Sequence, residues 1–209
     1  MTGVILSTEF ELTEAAAELA RREQVFAKVL PDLSPLPLRR VPDGFLALRD
    51  SIIGQQVSVA SARAIRARMD AAGLAHEETV AAADEDALRG CGLSRQKIRY
   101  LTALARARLD YAALRAMPNE QVSATLIALP GVGRWTAEMY LMFALGRADV
   151  FAPDDLALAE AARLLFALPD RPRPRAFAAM AEPWAPWRAV AARILWAYYA
   201  QIKRREGVG

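Results

Sequence analysis

Leu129-Pro-Gly-Val-Gly-Arg-Trp-Thr-Ala137 is the stretch from which the fold of this chain can be predicted. Its proline and two glycines indicate a tight turn, with apolar helical segments before it (Val122 to Leu129) and after it (Trp135 to Leu145). Two helices joined by so short a turn form a hairpin. Glycine lets the backbone approach another group closely, and the first turn of a helix presents N–H groups to an anion such as phosphate. A plain connector between two helices is the alternative interpretation of the same residues.

The composition favours a helical protein with a sizeable core. The chain has 209 residues, 54% of them apolar, which suits one large domain or two small interleaved ones. Alanine and leucine are abundant and β-branched runs are few, so we expect an all-α fold. The formal net charge is +3 and the isoelectric point is about 9.3. This charge is compatible with binding to nucleic acid without demonstrating it.

Cysteine and histidine usage excludes several kinds of site. The single cysteine, Cys91, excludes an internal disulfide and a four-cysteine iron–sulfur cluster, and the single histidine, His76, excludes a multi-histidine metal site. The N-terminus lacks the pattern of a signal peptide, and no run approaches the roughly 20 apolar residues of a membrane span. We therefore expect a cytoplasmic protein, not associated with a membrane, that requires no cofactor.

Periodicity and capping residues predict the other helices. The first should run from Glu11 to Leu30 and end at Pro31, before an extended connector to residue 42. Three helix caps are expected: Asp43 for a helix over 45–54, Ser94 for a helix ending at residue 109, and Asp154 for a helix over 155–167. Further helices are expected over 58–71, near 80–83 and 85–88, within the hairpin at 119–145, and near 175–181 and 187–202.

Four motifs between residues 40 and 200 carry a resemblance to a known family. In chain order they are Ser51-Ile-Ile-Gly-Gln-Gln-Val-Ser-Val-Ala60, the hairpin stretch with Asp149-Val-Phe-Ala-Pro-Asp-Asp155, Glu182-Pro-Trp-Ala-Pro-Trp-Arg188, and Ile194-Leu-Trp196. In this order they resemble the helix-hairpin-helix DNA glycosylase superfamily, and within it the 3-methyladenine DNA glycosylase II branch. The resemblance implies a monofunctional glycosylase that flips alkylated purines, such as 3-methyladenine, out of duplex DNA and hydrolyses the N-glycosidic bond. Such an enzyme initiates base excision repair.

The resemblance also implies a two-lobed organisation. Residues 1–42 would be an N-terminal helix and connector that pack with the C-terminal lobe. Residues 43–150 would form the central lobe with the hairpin at 119–145, and residues 151–209 the C-terminal lobe with the catalytic aspartate. The N-terminal mixed sheet domain of longer relatives is not expected, since the chain is too short for it. We expect a monomer whose partner is double-stranded DNA.

The family's catalytic aspartate aligns with Asp155. Cleavage of an N-glycosidic bond builds positive charge on the sugar, and a fixed carboxylate stabilises that charge and orients the attacking water. A carboxylate at a helix start is more often a cap or a partner of the helix dipole. That interpretation fits Asp154 well, whereas Asp155 is harder to explain as a second cap.

The resemblance places Trp135, Trp196 and Met139 in the base pocket, where electron-rich rings favour a cationic alkylated base over a neutral one. Met139 stands where some relatives have tyrosine, and Trp135 stands where glycosylase/lyases have a nucleophilic lysine. A buried core position is the alternative for Trp135.

The DNA-binding residues implied by the resemblance are Gln56, Gly131, Gly133, Arg134 and Thr136. Gln56 would fill the gap left by the flipped base, where this branch commonly has leucine; Gln55-Gln56 as a simple helix-end cap is the alternative. The backbone carbonyls of Ile127, Leu129 and Val132 would hold a potassium or sodium ion beside a phosphate. The basic run Arg95-Gln-Lys97-Ile-Arg99 could reach phosphates or be a solvated helix face.

Two other functions are open to this sequence. A bifunctional glycosylase/AP-lyase needs an amine nucleophile, and Trp135 in place of lysine counts against it. A non-catalytic binder of DNA would use the same hairpin. Asp155 counts against a binder, because a carboxylate near phosphates repels DNA.

Overall fold

The computed structural model describes residues 3–205, and the regular secondary structure of this part of the chain is helical. Its α-helices are α1 (Glu9–Arg22), α2 (Gln24–Leu33), α3 (Phe45–Gly54), α4 (Val59–Ala71), α5 (Glu77–Ala82), α6 (Glu85–Gly90), α7 (Arg95–Ala107), α8 (Tyr111–Ala116), α9 (Asn119–Ile127), α10 (Arg134–Met139), α11 (Leu156–Leu165), α12 (Pro174–Met180) and α13 (Arg188–Arg205). A π-helical turn (Tyr140–Ala144) follows α10, and a 3-10 turn (Glu182–Trp184) follows α12. Within residues 3–205 there is no β-strand, only an isolated bridge between Ile5 and Arg147. The prediction of an all-α fold is confirmed.

The chain divides into two compact units. The first comprises Val41–Tyr140 and holds α3 to α10, whereas the second combines Gly3–Arg40 with the residues from Leu141 onward. The sequence placed the second boundary at residue 150. Residues 141–150 belong to the second unit because the N-terminal segment pairs with them: the Leu6 N–H donates to the Gly146 carbonyl at 2.7 Å, and the Ala148 N–H donates to the Val4 carbonyl at 2.9 Å.

Helix α7 organises the first unit and packs against α3, α5 and α6. Its buried residues recur at helical spacing, namely Lys97, Ile98, Leu101, Leu104 and Ala105. Ser94 caps the helix as predicted, since its side chain accepts from the Lys97 N–H. Each fully buried leucine or isoleucine stabilises the fold by about 1.5–3 kcal/mol, so this apolar face is what fixes α7 in the unit.

The second unit is built on α13, which packs against α1, α2 and α11. Beside it lies a cluster of five aromatic side chains: Phe26, Phe151, Phe166, Phe177 and Trp184. Their ring centroids lie 4.8 to 5.9 Å apart. Aromatic pairs in such geometry contribute about 0.5–1.5 kcal/mol each beyond burial. Trp184 of the Glu182-Pro-Trp motif is therefore a core residue of this unit.

Two predicted helix boundaries are wrong at the N-terminus. The helix expected over 11–30 is interrupted at Glu23, whose extended backbone ends α1 and whose side chain caps α2 by accepting from the Val25 N–H at 3.2 Å. Pro31 does not end α2, which continues to Leu33. A proline removes the hydrogen bond to the carbonyl four residues earlier and its ring crowds that carbonyl, and α2 tolerates both because Pro31 lies close to its C-terminus.

Two further predictions fail in the first unit. Asp43 does not cap α3, because its carboxylate pairs with Arg115 at 2.5 Å and Gly44, with φ of 105°, takes the cap position. The helix expected to end at residue 109 ends at Ala107, because Arg108 is left-handed with φ of 45°. The short helix α8 then follows, which the sequence analysis did not predict.

Candidate active site

The hairpin turn lies between α9 and α10, as the sequence predicted. The Leu129 carbonyl accepts from the Val132 N–H at 3.1 Å, which closes the turn, and Gly131 has φ of +86°. A Cβ at Gly131 would lie 2.3 Å from the ring of Tyr100. Gly131 is therefore required by the fold, both for its left-handed backbone and for the ring of α7 packed against it.

Gly133 differs from Gly131 in every one of these respects. It is the N-cap of α10 with φ of −89° and ψ of 175°, an extended backbone that any residue adopts. A Cβ there would meet nothing within 4 Å. The first N–H groups of a helix have no hydrogen-bond partner within the helix, and Gly133 offers no side chain to accept from them. The fold thus leaves open space at the start of α10.

The side chains of α10 fall into an exposed and a buried set. Trp135 is 41% exposed, so it is not the core tryptophan that the alternative interpretation required. The guanidinium of Arg134 pairs with Glu138 at 2.9 Å and is itself largely exposed. Met139 is half-buried, and Thr136 is 4% exposed. A DNA contact by Thr136 would therefore have to be made by its backbone.

The turn between α3 and α4 carries Gln56, the predicted gap-filling residue. Gln56 is exposed and left-handed with φ of 57°, a conformation uncommon for residues other than glycine. Gln55, which the sequence analysis considered only as part of a helix-end cap, donates through its amide Nε2 to the Gly131 carbonyl at 2.9 Å. Gln55 is also the C-cap of α3, since its backbone N–H donates to the Ile52 carbonyl, so the helix-end cap interpretation holds for its backbone. Its side-chain amide in addition joins the two turns of the first unit.

Lys97 is not available to DNA phosphates, contrary to one of the two interpretations of its basic run. It is 9% exposed, and its Nζ donates to the Ile53 carbonyl at 2.5 Å. Removal from water lowers the pKa of the Lys97 ammonium. Arg95 and Arg99 on the same helix remain exposed.

Asp155 in the second unit is the N-cap of α11. Its Oδ1 accepts from the Leu158 N–H at 2.9 Å, and its backbone N–H donates to the Ala152 carbonyl at 3.1 Å. The prediction that Asp154 caps this helix is therefore wrong by one residue. Asp154 is exposed and lies one residue before the cap, and the side chain that accepts from the Leu158 N–H is that of Asp155.

Trp196 on α13 reaches the same carboxylate. Its indole Nε1 donates to Asp155 Oδ1 at 3.4 Å, a long hydrogen bond. Its ring lies 5.7 Å from that of Phe143, at an angle of 33°. The sequence-predicted catalytic residue and one predicted pocket residue of the second unit are thus brought into direct contact.

A buried arginine on the same helix as Trp196 also contacts Phe143. Arg193 is 3% exposed, its guanidinium lies 4.9 Å from the Phe143 ring centroid, and it donates to the carbonyls of Ala189, Leu38 and Met142. Burial, and then the positive charges of Arg40 and Arg39, lower the pKa of Arg193 to about 10. The sequence held no signal for this role beyond the position of Arg193 three residues before Trp196 on one helix face.

The carbonyl groups predicted to hold a monovalent cation all lie at the hairpin. Ile127 is the last residue of α9, Leu129 and Val132 face each other across the turn, and the Leu129 carbonyl already accepts one hydrogen bond. A carbonyl oxygen has a second lone pair, and neutral oxygen donors suit a hard monovalent ion. Within residues 3–205 no group of three His, Cys, Asp or Glu side chains could hold a metal. No helix in this described part of the chain is long and apolar enough to cross a membrane.

Comparison with known proteins shows similarity to a family of DNA repair proteins. Residues 50–186 match the model of the HhH-GPD superfamily base excision DNA repair proteins. The chain is 36% identical over 118 residues to DNA-3-methyladenine glycosylase 1 of Schizosaccharomyces pombe, which covers 54% of this chain and 52% of that protein. The chain spans about half the length of the curated relatives it matches.

Solved structures agree with the sequence matches. The Schizosaccharomyces pombe 3-methyladenine DNA glycosylase in complex with abasic DNA superposes with a TM-score of 0.74 at 28% identity, over 88% of this chain and 95% of that one. The DNA-3-methyladenine glycosidase of Bacillus halodurans gives a TM-score of 0.77 at 30% identity, over 95% of this chain and 92% of that one. The chain therefore belongs to the HhH-GPD superfamily of base excision DNA repair proteins.

Proposed function

We propose that this protein is a monofunctional DNA glycosylase that removes alkylated purines, 3-methyladenine foremost, from duplex DNA. The observation that carries the proposal is the placement of Asp155, whose carboxylate is held by a backbone N–H of α11 and by the indole of Trp196. Relatives named as 3-methyladenine glycosylases, one of them bound to abasic DNA, support the same substrate class.

The proposed chemistry uses Asp155 as a fixed anion. As the bond between base and sugar breaks, positive charge develops on the sugar, and a carboxylate that is already oriented stabilises it without reorganisation. The same carboxylate can orient or deprotonate the water that attacks the sugar. An alkylated purine already carries positive charge, so the leaving base needs little acid assistance. One carboxylate therefore suffices, whereas a glycoside hydrolase uses two.

The proposed base selectivity rests on aromatic faces. A cationic base beside the electron-rich ring of Trp135 or Trp196 gains about 0.5–2 kcal/mol per contact, and a neutral base gains less. The exposure of Trp135 supports this role, because a tryptophan needed only for the core would be buried. The apolar, flexible side chain of Met139 is proposed to contact the base as well.

The proposed DNA contacts lie on the first unit. The open space at Gly133 would allow a phosphate to approach the start of α10, with Arg134 beside it, and the exposed Gln56 would enter the gap left by the flipped nucleotide. The carbonyls of Ile127, Leu129 and Val132 would hold a monovalent cation, whose charge would assist phosphate binding. Cytoplasmic location and a monomeric state remain predictions.

The decisive experiment is incubation of the protein with a methylated DNA duplex, followed by chromatography of the released bases. We expect free 3-methyladenine and an intact strand that carries an abasic site and breaks only after alkali. A parallel reaction with borohydride tests for the imine of a lyase. We expect no protein–DNA adduct, because Trp135 replaces the lysine, and Lys97 is buried and bound to the Ile53 carbonyl. An adduct formed in proportion to excision would overturn the monofunctional mechanism, and binding without release would overturn the enzyme.

A further inference from the structure

Two turns of the first unit are joined by one side chain. Gln55 ends α3 in an extended conformation, its own N–H donates to the Ile52 carbonyl at 3.3 Å, and its amide Nε2 donates to the Gly131 carbonyl at 2.9 Å. The next residue along the chain is the left-handed Gln56. The hydrogen bond to the hairpin turn is therefore made one residue before the position proposed to fill the gap in DNA.

Helix α7 supports both turns from one face. Lys97 donates to the carbonyl of Ile53 near the end of α3, which has no helical partner of its own. Tyr100, three residues later and thus one turn further along α7, lies against Gly131 so closely that no Cβ fits between them. The end of α3 and the hairpin turn consequently rest on adjacent side chains of the same helix.

Energetics explain why such support is needed. A residue other than glycine in the left-handed region is strained, and it persists only where its surroundings hold it. A hydrogen bond of the Gln55 kind contributes stability of the same order as that strain. Loss of the Gln55 amide would leave Gln56 free to relax to a right-handed conformation and to direct its side chain elsewhere.

We infer that Gln55 is a positioning residue that fixes the Gln56 turn to the hairpin turn, so that the gap-filling residue and the phosphate-binding turn engage damaged DNA as one rigid surface. This inference rests on the proposed function. It adds to that function a residue, Gln55, that would act without contact to the base or the sugar. Gln55 acts through Gln56, and its effect should appear only where a gap in the duplex exists.

Binding of two fluorescent duplexes, identical except for one stable abasic-site analogue, tests the inference. Gln55→Met keeps the length of the side chain and removes the amide donor. We expect it to weaken binding to the abasic duplex about tenfold while binding to the intact duplex changes little, because the phosphate contacts of the hairpin remain. Gln121→Met, on an exposed position of α9, is the matched control and should alter neither affinity.

A double-variant cycle separates positioning from general stability. If Gln55 acts through Gln56, then Gln55→Met should add little to Gln56→Ala, whereas independent roles would give additive losses. Additive losses, or an equal weakening on both duplexes, would overturn the inference. Circular dichroism melting confirms the fold, and Gln55→Ala serves as a second donorless variant should Gln55→Met misfold.

Failure of the proposed function has a different signature. A wild-type protein that prefers the abasic duplex but releases no base would overturn catalysis and leave the cycle to decide the role of Gln55. A wild-type protein that binds both duplexes alike would overturn the role of Gln55 directly, whatever its activity on methylated DNA.

Discussion

Helices α10 and α11 differ in what their N-cap residues offer to the N–H groups of the first turn. Each helix begins with N–H groups that lack carbonyl partners. At α10 the cap is Gly133, which has no side chain to offer and leaves space around it. At α11 the cap is Asp155, whose carboxylate accepts from the Leu158 N–H. The start of α10 is therefore open to an external anion, whereas the start of α11 has a carboxylate of its own.

Under the proposed function, this difference separates two tasks that would otherwise conflict. Phosphate needs donors and positive potential, whereas a developing sugar cation needs a negative charge. A carboxylate at α10 would repel the DNA backbone, and a glycine at α11 would leave nothing to stabilise the cation. The open helix start and the carboxylate lie on different helices, in different units of the chain, so the one need not compromise the other. Four substitutions test this division, and they follow in order of expected effect.

The largest effect is expected for Asp155→Asn. Asparagine caps a helix as well as aspartate does, so α11 should form normally, but the negative charge is gone. We expect the single-turnover excision rate to fall by about 10²–10³ or more, since preorganised electrostatic stabilisation contributes several kcal/mol. Binding to an abasic duplex and the melting temperature should change little. The measurement is rapid-quench excision on a duplex with one methylated purine.

Asp154→Asn is the matched control, because Asp154 is exposed and lies one residue before the cap. Its excision rate should stay close to that of the wild type. Excision that survives in Asp155→Asn, or that is lost only in Asp154→Asn, would show that the charge at α11 is not the catalytic one.

The same pair of residues shows how far the sequence could predict the structure. Short-range signals succeeded: Ser94 caps α7, and the glycines mark the hairpin, because turns and caps depend on a few neighbouring residues. The choice between Asp154 and Asp155 as cap failed, because it depends on the backbone angles of one residue. The catalytic role of Asp155 stays a prediction, which rests on the resemblance to the family and on the need for an anion near the sugar.

Contacts distant in sequence were beyond prediction. The hydrogen bond from Gln55 to Gly131 spans 76 positions, and that from Arg193 to Leu38 spans 155. No periodicity or spacing encodes such pairs, since they exist only after the helices pack. The basic run around Lys97 shows the same limit, because charge pattern cannot distinguish an ammonium bound to a buried carbonyl from one in solvent.

The second largest effect is expected for Gly131→Ala, and it concerns stability. An alanine there would adopt a strained left-handed backbone and place its Cβ against the ring of Tyr100. We expect the free energy of unfolding to fall by about 3 kcal/mol, measured by urea denaturation. A loss below about 1 kcal/mol would mean that the turn and Tyr100 relax easily and that Gly131 is not fixed by the fold.

Gly133→Ala should show the reverse pattern and complete the contrast within one turn. The fold has space for this Cβ, and the cost is that alanine caps a helix less well than glycine, so stability should fall by about 1 kcal/mol. Affinity for an abasic duplex should fall about tenfold, to a similar extent for different sequences, because a phosphate contact does not distinguish bases. Unchanged affinity at physiological salt would make the turn a plain connector.

The smallest effect is expected for Trp196→Phe, which asks what holds the carboxylate at the start of α11. Phenylalanine keeps an aromatic ring beside Phe143 but lacks the indole N–H that donates to Asp155 at 3.4 Å. So long a hydrogen bond is weak, and the cap bond at 2.9 Å remains. We expect the single-turnover rate to fall about threefold, corresponding to less than about 1 kcal/mol.

Trp187→Phe is the control for this substitution, since the indole nitrogen of Trp187 is buried without a hydrogen-bond partner among the described residues. It removes an N–H that has no hydrogen-bond partner within residues 3–205, and it should leave the rate unchanged. A Trp196→Phe loss as large as that of Asp155→Asn would mean that the indole, not the helix cap, orients the carboxylate. Trp196 of α13, and not the N-cap position of α11, would then be what distinguishes the start of α11 from the start of α10. An unchanged rate would mean that the indole N–H of Trp196 does not help to orient Asp155.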